Sequence, residues 1–213
     1  MAFSLEAAPV PVRSDIRAAF GRDWARLARP GTWWTGADRI AIATAARLRR
    51  TGDITGASIP LPPAAIEAAG RISVEPATAT RSWVEGLIEA GLGYSRYVEL
   101  VGVVSRLSAI DAFFRALGMP LEPLPEAVAG AATTHDAPRS ARIGRGRVPM
   151  VGGTSIVQAL SLVPAEMEAQ EDLHGPMYLR YDQMGIMDFS RGLHRTQMEL
   201  VAGRVSASNE CFY

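Results

Sequence analysis

Apolar residues in this chain recur at intervals of three and four over most of its length, while strict alternation is short and rare. Side chains spaced this way share one face of a helix, whereas a strand would send successive members to opposite faces. The pattern therefore predicts an all-α protein with long loops and little sheet. Thr35 and Asp38 stand where a capping box would open a helix. Ile40, Ala43, Ala46 and Leu48 then favour one side, and Arg47, Arg49 and Arg50 close it where positive charge suits the helix dipole. Gly52, Gly56 and Pro60 mark a loop, and Pro62 and Pro63 are placed to open a short helix through Ile72.

Thr80 precedes a segment with Trp83, Leu87 and Ile88 that Gly91 and Gly93 end. Ser95 is expected to cap a longer helix carrying Val98, Val101, Val104, Leu107, Ile110 and Phe114 as far as Gly118 and Pro120. From about 121 to 150, prolines, glycines and four arginines (Arg139, Arg142, Arg145, Arg147) read as a linker. Helix is expected again over about 155–162, from Pro164 to His174, and over about 191–205 with Leu193, Met198, Leu200, Val201 and Val205.

Charge and composition exclude several functions. Basic and acidic residues number 22 each, which removes the net field that steers a protein to nucleic acid or an anionic membrane surface. Every basic residue is arginine, so no lysine Schiff base and no P-loop lysine exist. The one cysteine, Cys211, excludes an intramolecular disulfide and a multi-thiolate zinc site within one chain. No metal or cofactor is expected. The N-terminal residues lack the positive charge of a signal peptide, and no apolar run approaches the roughly 18 residues of a membrane span. A cytoplasmic protein is the expectation. The four linker arginines read as a solvated loop or an acidic-partner surface, and Trp33-Trp34 as core.

Chemistry concentrates at the end of the chain, where the acid Glu199 precedes the lone thiol of Cys211 by twelve positions. Ser206, Ser208 and Asn209 are N-cap residue types, so the expected arrangement is a helix bearing Glu199, a tight turn, and Cys211 opening another helix. Helix N-terminal amides stabilise a thiolate, and a carboxylate from the preceding helix can relay its proton. Only Phe212 and Tyr213 follow, and the terminal carboxylate opposes thiolate formation. On composition alone Cys211 would read as an ordinary terminal thiol and Glu199 as a solvated helix residue.

Glu199, eleven intervening residues and Cys211-Phe-Tyr resemble the first part of the Glu-x11-Cys-x2-Cys-x3-His motif of alkylhydroperoxidase D-like proteins, in the carboxymuconolactone decarboxylase superfamily. Trp33-Trp34-Thr-Gly-Ala-Asp38, Tyr97 to Val104, Ala159 to Pro164 and His194 to Val201 are similar to its longer, two-repeat, peroxidase-related branch, so the likeness runs from about residue 24 to 213. The resemblance implies helical repeats with the second incomplete. The arm would be 1–22, the first repeat 23–122, the linker 123–150 and the second repeat 151–213.

The likeness also implies a thiol-dependent peroxidase acting on a hydroperoxide, with a thiol or a peroxiredoxin as electron donor. Glu199 would be the proton-relay carboxylate and Cys211 the first cysteine. The second cysteine and the histidine have no counterpart, and His194 lies about 140° round the helix from Glu199. A stop one residue short of the second cysteine suggests a misread selenocysteine codon, and with one thiol turnover is expected to be weak or absent. Alternatives are a non-catalytic helical interaction module and a lactone decarboxylase, and homo-oligomers are expected in either case. Residues 96–111 align with 196–211 at Glu99/Glu199, Leu100/Leu200, Val101/Val201 and Ser108/Ser208. That pairing makes the first half a repeat without a thiol, with Asp111 at the place of Cys211. Glu99 could equally make an ordinary buried or interfacial ion pair.

Overall fold

A computed structural model describes residues 3, 5–52, 58–152 and 156–209. Helix dominates among them, as the periodicity requires. The order is α1 (Ser14–Ala28), α2 (Gly36–Thr51), α3 (Pro63–Val74), α4 (Arg81–Glu89), α5 (Tyr94–Ala116), β1 (Arg142–Ile143), β2 (Pro149–Met150), α6 (Pro164–Met177), β3 (Ser190–Arg191), β4 (Leu193–His194) and α7 (Arg195–Ser208), with short 3-10 turns between. The strands form two antiparallel ribbons of two residues each. No helix among the described residues is long and apolar enough to cross a membrane.

Local chemistry sets most helix ends. Thr35 and Asp38 form the expected box: Thr35 Oγ1 accepts from the Asp38 amide at 3.1 Å, and the Thr35 amide donates to Asp38 Oδ2 at 3.0 Å. At the other end of α2, Gly52 takes the left-handed conformation (φ 77°), which glycine adopts without steric cost. Thr80 caps α4. Ser95, in contrast, does not cap α5. The helix begins two residues earlier, at Tyr94, and the cap position is Gly93 at φ 74°, a turn that needs a glycine and leaves Ser95 inside the first turn. The stretch expected as helix near 155–162 is a 3-10 turn at Ile156–Leu160, and the last helix starts at Arg195 because the β3–β4 ribbon, turning at Gly192 (φ 80°), occupies 190–194.

The core lies between α1, α2, α3, α5 and α6. α2 packs on α3, α5 and α1, while α6 packs on α1 and α5. Phe20, Ile42, Leu100, Ile110, Phe114 and Leu173 are among its fully buried side chains. Trp34 is buried, and its Nε1 donates to the Arg96 carbonyl at 3.0 Å while the Arg96 guanidinium stacks over the ring.

The Pro- and Gly-rich segment is pinned along its first part. The amides of Val128, Thr133 and Thr134 donate to the carbonyls of Ala28, Gly31 and Thr32 in the α1–α2 connection, and Trp24 Nε1 and Arg47 donate to the carbonyls of Pro123 and Glu122. Its four arginines are exposed.

Candidate functional site

Two acidic sites emerge, one at the end of the described chain and one in the core. Glu199 stands in the second turn of α7. His194 caps this helix: its Nδ1 accepts from the Thr196 amide, and its own amide donates to Gln197 Oε1 at 2.9 Å. The imidazole is therefore engaged in capping. The Glu199 side chain is 46% exposed and pairs with Arg195 Nε at 2.6 Å, one turn back. Arg195 in turn donates to the Met184 carbonyl at 3.0 Å, which ties the start of α7 to the preceding loop.

The Tyr178 phenol stands near Glu199 and, together with Arg195, holds the Glu199 carboxyl below the usual carboxylate range. Burial and the neighbouring carboxylate push the Tyr178 phenol up to about 12. At neutral pH the site thus offers an ionised carboxylate beside an un-ionised phenol, an acceptor and a donor of protons side by side. Cys211 lies outside the described residues. α7 ends at Ser208, with Asn209 closing it, so Ser206 and Ser208 belong to the helix itself.

In the core, five ionisable side chains from four helices meet. Arg39 Nη1 donates to Glu99 Oε1 at 2.6 Å and to Glu166 Oε1 at 2.8 Å. Arg106 pairs through Nε with Asp23 Oδ1 at 2.7 Å and through Nη2 with Glu166 Oε2 at 2.6 Å. The Trp33 amide donates to Glu99 Oε2 at 2.6 Å. Two glycines clear the space: a Cβ on Gly31 would lie 1.9 Å from Glu99 Oε1, and one on Gly102 would lie 2.4 Å from Glu166 Oε2. A cleft of about 300 Å³ reaches the edge of the cluster, lined by Arg26, Arg29, Gly31, Arg39, Glu166 and Glu168 among others.

Glu99 is the residue that the spacing of 100 pairs with Glu199, and it makes the buried ion pair that the sequence left open. Asp111, the residue paired with Cys211, is also buried and is gripped at both oxygens by Arg47. Sequence reasoning missed Asp23, Arg39, Arg106, Glu166 and Tyr178. One signal was available: Glu99 and Arg106 lie seven residues apart, on one face of a helix that is otherwise apolar there. Among the described residues no group of three or more His, Cys, Asp or Glu side chains is placed to hold a metal ion. Comparison with protein-family models, with curated proteins and with solved structures finds no match to this chain.

Proposed function

We propose that the protein is a thiol-dependent peroxidase-type oxidoreductase of the alkylhydroperoxidase-like kind, with Cys211 as the peroxide-reactive thiol and Glu199 as its proton-relay carboxylate. The observation that carries the reading is the state of Glu199. It is held in its ionised form, partly exposed, near a phenol, and twelve positions before the only sulfur of the chain that forms a thiolate. An ionised carboxylate can take the thiol proton and return it to the leaving alkoxide.

In a one-thiol cycle the thiolate attacks the outer oxygen of a hydroperoxide, the O–O bond breaks, and the alkoxide leaves with the relayed proton as an alcohol. The cysteine is oxidised to a sulfenic acid. A donor thiol condenses with it to a mixed disulfide and water, and a second donor thiol releases Cys211 as thiol with a donor disulfide. The donor is a small dithiol or a peroxiredoxin-type protein.

The test is hydroperoxide turnover with a dithiol reductant. Cys211→Ser abolishes it, and Glu199→Gln lowers it by about 100-fold. With one thiol turnover is weak or absent, and turnover untouched by Cys211→Ser, or a Cys211 thiol that hydroperoxide leaves unoxidised, would sink the assignment.

A second reading, a helical oligomerisation module, is favoured by one observation: α7 has no buried residue, and Leu200, Val201 and Val205 lie exposed on it. Alkylation of Cys211 separates the two readings. A thiol that reacts fast below pH 7 belongs to the redox site, and one with ordinary reactivity belongs to the module.

A further inference from the structure

The core cluster contains three carboxylates and two guanidiniums, each with less than a tenth of its side chain exposed: Asp23 on α1, Arg39 on α2, Glu99 and Arg106 on α5, and Glu166 on α6. Fully ionised, it carries one negative charge too many in a region where an uncompensated charge costs several kcal/mol. The surrounding ions offset this only in part. Arg22 and Arg26 on α1 share Asp172 of α6, which leaves one positive charge near Asp23 but at a rim where water screens it, and Arg29 and Glu168 stand at the cleft with opposite signs.

The donors are distributed unevenly. Glu166 has a guanidinium at each oxygen. Glu99 has Arg39 at one oxygen and the Trp33 amide at the other. Asp23 is paired with Arg106 through one oxygen, Oδ1. The acid with the least compensation is therefore the one at which a proton costs least to keep.

We infer that Asp23 folds as a neutral acid around neutral pH and that its proton is part of the clamp holding α6 against α1, α2 and α5, so that rising pH loosens α6. The electrostatics agree in direction. Burial drives Asp23 upward, with Arg106 and Arg26 opposing and Glu166 reinforcing, and burial likewise raises Glu99. Glu166 goes the other way, because Arg106 and Arg39 together outweigh its burial.

The sign follows from proton linkage. A carboxyl raised in the folded state binds its proton more tightly there than in the unfolded chain. Its contribution is complete below the ordinary aspartate value, about 3.9, and is lost as pH rises through the raised value. Glu166 imposes the opposite limit on the acid side, so the clamp is tightest between the two. This inference stands on the core cluster alone and is independent of the chemistry at Glu199 and Cys211.

Infrared spectroscopy of the full chain near pH 7 reads the proton directly as a carboxylic-acid carbonyl band. The band is expected in the wild type, is expected to shift when the aspartate side-chain carboxyls alone are isotope-labelled, and is expected to be gone in Asp23→Asn. Hydrogen exchange of α6, expressed as protection over the unstructured peptide, should fall on the order of tenfold per pH unit once Asp23 ionises. In Asp23→Asn it should stay level over the same range. No acid band in the wild type, a band that shifts with labelled glutamate instead of labelled aspartate, or α6 protection that is level with pH in the wild type would each overturn the inference. The labelled wild-type spectra decide it even if Asp23→Asn does not fold.

Discussion

α5 and α7 each carry a glutamate in their second turn, and the two acids live in opposite worlds. α5 buries twelve of its 23 residues, and its Glu99 is fully enclosed between Arg39 and the Trp33 amide. α7 buries none, and its Glu199 meets water, Arg195 and Tyr178. The same carboxylate chemistry is structural in one helix and available for reaction in the other. What separates them is desolvation: enclosing Glu99 demanded a guanidinium from another helix and a backbone amide, while Glu199 needed only a neighbour one turn away. A helix that gives up burial gains a carboxylate that is free to exchange protons.

Mutations can break this contrast. The largest effect belongs to Glu166→Ala, which leaves Arg39 and Arg106 without their shared carboxylate and should cost about 3–5 kcal/mol in urea denaturation. Glu199→Ala should cost less than about 0.5 kcal/mol, since its pair is half exposed and screened. Equal losses would erase the distinction between the two regions.

Next come two Gly→Ala changes of opposite sign. Gly31→Ala drives a methyl into Glu99 and Arg39 and should destabilise by about 1–3 kcal/mol. Gly203→Ala, inside α7 with nothing within 4 Å of the added Cβ, should stabilise by about 0.5–1 kcal/mol. Thermal melts of both variants check the pair.

Placing glutamates at Val201 and Val205 together should abolish concentration-dependent association in sedimentation velocity while shifting stability by no more than about 0.5 kcal/mol. A melting point that collapses would mean that this face belongs to the protein's own core.

The smallest effect is a titration. Tyr178→Phe removes the phenol that depresses Glu199, so its NMR-observed midpoint should move up toward the ordinary glutamate value. The contribution of this ionised acid to stability is present above the ordinary value, about 4.3, and is lost as pH falls through the depressed one. An unmoved midpoint would show that Arg195 alone sets the charge of Glu199.

The sequence was most legible where the cause is local. The Thr35–Asp38 box, the Pro63 start, the Thr80 cap and the predominance of helix all follow from neighbours within four residues. The sequence places the start of α5 two residues late because a serine advertises a cap, whereas a glycine at positive φ makes one silently. The β3–β4 ribbon is too short for alternation to register. The core cluster was hidden for a different reason: its members lie at 23, 39, 99, 106 and 166, and only the packing of four helices brings them together. Glu199 could be picked out by its spacing to Cys211, but its partner Tyr178 sits beyond the intervening ribbon, where no helical repeat connects them.

The exposed arginines at 139, 142, 145 and 147 mark a stretch that trypsin can reach. Across that stretch, Glu166 and Asp172 bind arginines of α1, α2 and α5. A cut there should leave two pieces that stay together through a gel-filtration column at moderate salt. Fragments made separately on either side of the arginines should find each other when mixed, making the chain divisible into a complementing pair.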